Sequence, residues 1–274
     1  MTGTLPADTT IGRVRLRVND LERVVEFYET VVGLESLDRS SDYATLGAGG
    51  DVLLELDGDP DAAERPSEAA GLFHIAVRVP DEAALADALV RIEREWVLDG
   101  ASDHLVSQAL YLSDPGGNGV EIYCDRPKSE WSRDSAGRVA MDTLPLERGA
   151  LPDGDPDRSV PEETDIGHVH LETTDLDRAR SFYVDDVGFE ISAAFPGNAT
   201  FLAAGDYHHH VGINGWNGRQ EPVGDHCGLE YFEVVVPESV VERLADDLSG
   251  ARWVDDALAI EDPDGIEVRF RDAK

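Results

Sequence analysis

The segment Ile11-Gly-Arg-Val-Arg-Leu-Arg-Val-Asn-Asp-Leu-Glu-Arg23 returns 155 positions later as Ile166-Gly-His-Val-His-Leu-Glu-Thr-Thr-Asp-Leu-Asp-Arg178. At the same offset Phe27-Tyr28 falls on Phe182-Tyr183, and Gly33 and Glu35 fall on Gly188 and Glu190. So many matches without a gap mark an internal repeat. A second echo follows each copy. Residues 71–80 (GLFHIAVRVP) resemble 228–237 (GLEYFEVVVP), and Asp114-Pro115 ahead of Val120-Glu121-Ile122 resembles Asp262-Pro263 ahead of Ile266-Glu267-Val268.

Each copy follows one plan. An alternating strand (Val14, Leu16, Val18) runs into Asp20 or Asp175, whose side chain can cap a helix. The helix carries Leu21, Val24, Val25 and Tyr28 at spacings of three and four, and Gly33 or Gly188 stops it. Short strands at 43–46 and 52–56 follow; in the second unit the helix is 82–95 and the late strands are 109–112 and 119–123. The expected fold is α+β: four βαβββ modules forming paired curved sheets. The modules lie at 8–60, 70–126, 164–216 and 226–272. They give one domain at 1–126, a linker rich in Pro, Asp, Gly and Arg at 127–163, and a second domain at 164–274. A single unit leaves one sheet face bare. Two units side by side turn those bare faces into a cup, the natural place for chemistry.

Composition narrows the partners. Among 274 residues, 57 Asp and Glu oppose 23 Lys and Arg, a net charge of −34. Such a surface repels phosphates and anionic lipid, which argues against nucleic acid and membrane as partners. Lys128 and Lys274 are the only lysines, and an acidic, lysine-poor surface suggests a high-salt cytoplasm. No run of 18 apolar residues offers a membrane helix, and the first residues lack the basic and apolar regions of a secretion signal; a cytoplasmic location is expected. Cys124 and Cys227 are too few for a disulfide scaffold or a cysteine zinc site.

Strand alternation then sorts side chains. In 72–79, Phe73, Ile75, Val77 and Val79 read as the helix-facing row, which sends Leu72, His74 and Ala76 into the cup. In 119–124 the cup side receives Glu121 and Tyr123; in 167–171 it receives His168 and His170. His74, Glu121 and either His168 or His170 make up the two-His, one-carboxylate complement of non-haem iron(II) sites.

The repeat, the run Asp114-Pro-Gly-Gly-Asn-Gly-Val-Glu-Ile-Tyr123 and Ile166-Gly-His-Val-His-Leu171 together resemble the vicinal oxygen chelate superfamily. That group includes glyoxalase I, bleomycin- and fosfomycin-resistance proteins and extradiol dioxygenases. Residues 71–74, 102–115 and 205–216 look most like two-domain catechol-2,3-dioxygenases. The resemblance implies Fe(II), with Mn(II) as the alternative, and an aromatic diol and O2 as substrates. It implies His74, Glu121 and His168 as metal ligands, and His209 as acid/base, with His208 or His210 if the register slips by one. Tyr111 would hydrogen-bond the substrate oxygen and His104 would be a further donor. Tyr123, Phe201 and Trp216 are candidate walls. The ligand set closes only if the second unit pairs with the third and the first with the fourth. The other cup would then hold Arg13, Tyr231 and Glu267, with an Arg13–Glu267 ion pair in place of a metal. Competing readings are a glyoxalase-type isomerase or thiol transferase, which would need a fourth ligand such as Glu172 or His170, and a metal-free binding or resistance protein. The choice between monomer and homo-oligomer is not written in the sequence.

Overall fold

The computed structural model describes residues 3–135, 137–195 and 197–272. The first unit contributes β1 (Thr10–Val18), α1 (Leu21–Phe27), β2 (Glu35–Arg39), β3 (Tyr43–Ala48) and β4 (Asp51–Gly58). The second contributes β5 (Gly71–Arg78), α2 (Glu82–Glu95), β6 (Gly100–Asp103), β7 (Ser107–Ser113) and β8 (Gly119–Asp125). The connecting segment adds β9 (Leu144–Pro145). The third unit has β10 (Asp165–Glu172), α3 (Leu176–Ser181), β11 (Glu190–Phe195), β12 (Ala199–Ala203) and β13 (Val211–Asn214). The fourth has β14 (Gly228–Val236), α4 (Glu238–Asp247), β15 (Arg252–Val254), β16 (Ala257–Glu261) and β17 (Glu267–Asp272).

The capping signals act as the sequence implies. Asp20 accepts from the Arg23 amide at 3.2 Å, and Asp175 accepts from the amides of Asp177 and Arg178 at 3.1 Å. Helices α1 and α3 each pass into a π-helical turn, closed by Gly33 at φ 90° and Gly188 at φ 105°. A Cβ at either position would be strained, so glycine sets the stop.

Two sheets result. One runs β15-β16-β17-β14-β1-β4-β3-β2, the other β11-β12-β13-β10-β5-β8-β7-β6-β9. Each takes one unit from either side of the 127–163 connection, joined by an antiparallel seam, β1 on β14 or β5 on β10. The second unit is thus paired with the third and the first with the fourth. Val14, Ile75, Val169 and Phe232, one from each unit and all fully buried, belong to a single apolar cluster with Val25 of α1 and Leu85 of α2. Burying such a side chain contributes about 1.5–3 kcal/mol, so the helix-facing rows of both sheets dominate stability. The repeated Phe-Tyr and Asp-Pro motifs meet across this core. The Tyr28 hydroxyl donates to Asp114 at 3.3 Å and the Tyr183 hydroxyl to Asp262 at 3.1 Å. Each bond ties a helix end in one sheet to a strand turn in the other.

Alternation fails at one point that matters. Across the β5–β10 seam His74 opposes His170 and Leu72 opposes Leu171, leaving Phe73 as an extra residue. A bulge of this kind re-aims side chains. Leu72 therefore joins the core and Phe73 turns to the open face, the reverse of the expected assignment.

Candidate metal centre and its cavity

Glu121 on β8, Ala76 on β5 and His168 on β10 are register partners in a single row across three strands. His74 lies two residues from Ala76 on β5. Ala76 has only a methyl group, so the space above it is left to its neighbours. His74 Nε2 is 2.9 Å from Glu121 Oε2, His168 Nε2 is 3.3 Å from the same oxygen, and the two Nε2 atoms are 3.3 Å apart. Exposures of 6%, 3% and 1% for His74, Glu121 and His168 rule out an ordinary solvated surface cluster. Donors bonded at ~2.1 Å to one ion sit ~3.0 Å apart at right angles and ~3.4 Å apart at the tetrahedral angle. The observed spacings fit a single cation capping this face. Among the described residues this is the His/Cys/Asp/Glu group with metal-holding spacing. His170 and Glu172 are not in it. Glu172 is taken by Arg219 at 2.8 Å and Arg65 at 3.1 Å.

The protonation states suit a cation. Burial pushes His168 down to about 4, against the pull of Glu121. Burial alone would raise the Glu121 carboxyl, but the imidazoles of His168 and His74 outweigh it and hold it well below the usual range. A neutral imidazole beside an ionised carboxylate is the form that binds a divalent metal.

These donors floor a cavity of about 480 Å³. Two aromatic ladders climb from the floor to the rim. On one, His74 meets Phe73 at 5.3 Å between ring centres, and Phe73 meets Trp216 at 5.1 Å. On the other, His209 meets Phe201 at 4.9 Å and Phe201 meets Phe195 at 5.8 Å. His170 bridges them, 5.5 Å from both Phe73 and Phe201. It lies against β13 at Gly212, where a Cβ would come within 2.6 Å of its ring. Its buried Nε2 has no hydrogen-bond partner.

The third wall joins β6 and β7 to the connecting segment. His104 Nδ1 lies 2.8 Å from the Asp142 carbonyl, which can only accept, so Nδ1 carries the proton. His104 Nε2 then accepts from the Tyr111 hydroxyl at 2.6 Å. Burial, reinforced by Glu121, raises the Tyr111 phenol well above its usual range, so it keeps its proton. Met141, Asp142 and Thr143 line the cavity as well. The connection is therefore part of the site, which no motif in 127–163 announces; its polar contacts with this wall come from its backbone.

The His208-His209-His210 run lies just ahead of β13, the last strand of its unit. Of the three, His209 lines the cavity, its ring centre 4.1 Å from that of His168. Burial, then His168 and His208, push its pKa well below the usual value. Its Nδ1 lies 2.7 Å from His208 Nδ1, and His208 Nε2 lies 2.9 Å from Asp125 Oδ1. The carboxylate accepts, so His208 holds its proton on Nε2; with His208 neutral, the network assigns the shared proton to His209 Nδ1. His209 Nε2 is then the basic nitrogen. His210 Nδ1 accepts from the Ala204 amide at 3.1 Å, away from the cavity lining. Phe201 and Trp216 are walls as expected, whereas Tyr123 is fully buried packing, its hydroxyl 2.8 Å from that of Tyr207.

The eight-stranded sheet has the equivalent face. Val234 pairs with Phe270 as Val77 pairs with Ile122, so Glu233 faces Arg269 where Ala76 faces Glu121. The counterpart of Glu121 is Arg269, not Glu267. Counting from the turns gives the same answer: Asp114 to Glu121 and Asp262 to Arg269 are both seven residues. Arg13 pairs with Glu55 at 2.8 Å and Glu233 at 3.2 Å, not with Glu267, which joins Arg269 at 2.6 Å and Arg252. Arg269 stacks 3.5 Å over the Tyr231 ring, whose hydroxyl donates to Glu55 at 2.8 Å.

Comparison with known proteins fits this geometry. Residues 10–122 match the model of the Glyoxalase/Bleomycin resistance protein/Dioxygenase superfamily. A catechol-2,3-dioxygenase of Bacillus subtilis (strain 168) is 43% identical over 238 residues, 84% of either chain. A manganese-dependent 2,3-dihydroxybiphenyl 1,2-dioxygenase of Geobacillus genomosp. 3 is 27% identical over 202 residues, 71% of this chain and 58% of that one. Among solved structures, a putative dioxygenase from Bacillus subtilis superposes with a TM-score of 0.64 at 15% identity, covering 99% of this chain and 86% of that one. Glyoxalase I from Zea mays gives 0.58 at 15% identity, covering 97% and 92%, and these two likenesses speak to the fold. With its four-unit architecture and a relative this similar along most of its length, the chain belongs to the glyoxalase, bleomycin resistance protein and dioxygenase superfamily.

Proposed function

We propose that the chain is an extradiol ring-cleaving dioxygenase that opens catechol-type diols with O2, using Fe(II) held by His74, Glu121 and His168. The likeness to catechol-2,3-dioxygenase makes it an enzyme of that kind. One observation carries the reading: three buried donors, 2.9–3.3 Å apart, at the floor of a cavity with aromatic walls. A glyoxalase-type centre would need a fourth protein donor, and Glu172 is bound to two arginines.

When bound, the metal would lower the pKa of the diol and bring diol and O2 together, supplying orientation and charge stabilisation. The remaining work falls to the chain. His209, with Nε2 unprotonated, takes the second diol proton and later returns it to the departing oxygen. His208 and Asp125 fix which nitrogen of His209 is basic. Tyr111, whose one proton is donated to His104 Nε2, offers its oxygen as an acceptor to a substrate hydroxyl across from Glu121, its register partner. Phe73, Phe201 and Trp216 keep water from the reacting ring. Both oxygen atoms of O2 end in the muconic semialdehyde product.

The test is reconstitution under anaerobic conditions with Fe(II), and separately with Mn(II), followed by catechol and air. A yellow ring-opened product is expected. Inertness toward a panel of catechols with either metal refutes the proposal.

A further inference from the structure

We infer that the diol this site takes is uncharged and carries an apolar substituent, alkyl or aryl, and that diols bearing a carboxylate are rejected. The inference rests on the dioxygenase reading above and concerns the part of the cavity that reading does not use. A single ring seated on the donors would occupy the floor between His74, His168 and His209. The two aromatic ladders continue beyond it to Trp216 and Phe195, which are 47% and 45% exposed at the rim. Large aromatic groups left half in water at a cavity mouth gain area when an apolar group covers them. Phe73 is placed there by its bulge, and Gly212 leaves room for the His170 ring that meets it edge to face. The upper wall is thus built as a slot for a substituent lying outward from the ring.

Charge supplies the second half of the argument. No lysine or arginine is among the described residues lining the cavity, whereas two acidic residues, Glu121 and Asp142, are. Arginines elsewhere on this sheet are held in ion pairs: Arg78 by Asp165 and Asp125, Arg126 by Asp103. A substrate carboxylate entering the slot would leave water without a positive partner, and the net charge of −34 opposes its approach.

The test is anaerobic binding of 4-ethylcatechol and of 3,4-dihydroxyphenylacetate to the Fe(II)-reconstituted protein, followed by calorimetry. The ethyl compound should bind at least about 100-fold tighter, since an unpaired like charge costs several kcal/mol. Equal or tighter binding of the carboxylate overturns the inference. Phe73→Ala should weaken 4-ethylcatechol by roughly tenfold and catechol itself by less, and equal weakening of both would count against the slot. Trp216→Arg, at the exposed rim where folding is not at stake, should narrow the ratio at least about tenfold by admitting the carboxylate. An unchanged ratio overturns the assignment of the rim. The ring-opening assay separates the two claims. Tight, selective binding without product on admission of air upholds the substrate class and refutes the dioxygenase, whereas turnover of both compounds at equal efficiency does the opposite. Failure of both diols to bind refutes both.

Discussion

The two sheets come from one repeated unit, yet their open faces hold opposite chemistry. In the nine-stranded sheet a row of His168, Ala76 and Glu121 crosses three strands with His74 beside it. In the eight-stranded sheet the same positions hold Arg13, Glu233 and Arg269, with Tyr231 beside them. The decisive exchange is Ala76 for Glu233. A methyl leaves room for an ion between neighbouring donors; a glutamate fills that room and recruits arginines, Arg13 at 3.2 Å and Arg271 at 3.5 Å. One face is poised for a cation and the other carries its cations covalently, as guanidinium groups.

The strongest way to break this contrast is to remove a donor. His74→Ala, His168→Ala and Glu121→Gln should each weaken metal binding by well over the ~10–100-fold typical of outer-shell changes. Arg13→Ala and Arg269→Ala should leave metal content unchanged. Elemental analysis after dialysis against limiting metal decides it, and retention of metal in both histidine variants would remove the centre from the nine-stranded sheet. Next in size, Asp125→Asn should lower kcat by about 10–100-fold with metal content preserved, because His208 then loses the anion that fixes its proton. An unchanged kcat would dissociate the His208–Asp125 pair from the chemistry.

The turns before β8 and β17 sharpen the comparison through pH. Burial raises the Asp262 carboxyl to about 6, partly offset by the backbone amides of Ile266 and Asp264. A carboxyl with a folded pKa above its unfolded value near 3.8 favours the protonated native state. Its contribution is present below the unfolded pKa and is lost as pH rises through 6. Asp262→Asn should therefore become more stable than the parent by about 2–3 kcal/mol between pH 4 and 7, measured as the difference in urea unfolding curves. Parallel curves would show that Asp262 titrates normally. The smallest effect belongs to Arg13→Ala. It strips partners from Glu55 and Glu233, but Arg13 is 29% exposed at its side chain, so water screens the loss to about 1–2 kcal/mol. A lowered melting temperature with full metal content is the expected signature.

Much of this was legible in the residues. Asp20 and Asp175 announce helix starts, Gly33 and Gly188 announce stops, and the 155-residue offset exposes the repeat. Alternation was enough to bring His74, Glu121, His168 and His170 onto open faces, and the ligand set that the resemblance implies selected the sheet pairing. Alternation could not foresee Phe73, because a bulge is set by the partner strand and not by the bulged one. The misplacement of Glu267 has a different origin. Matching the echo by its glutamate, and not by distance from the Asp-Pro turn, shifted the strand by two residues, which preserves the face and hides the error. The connecting segment's share of the cavity was illegible because its ordering contact, the Asp142 carbonyl to His104, is common to every residue type.

The seams β5–β10 and β1–β14 carry a final consequence. His74 and Glu121 precede the 127–163 connection and His168 follows it, so the three-donor cluster is split along the polypeptide. A fragment ending within that connection keeps two donors but exposes β5 as an unpaired edge, while its complement keeps the third donor and His209. Neither piece holds a metal pocket alone. Mixed together, the pieces have a reason to find each other, because each offers the strand the other lacks, and recovery of activity would report their reunion.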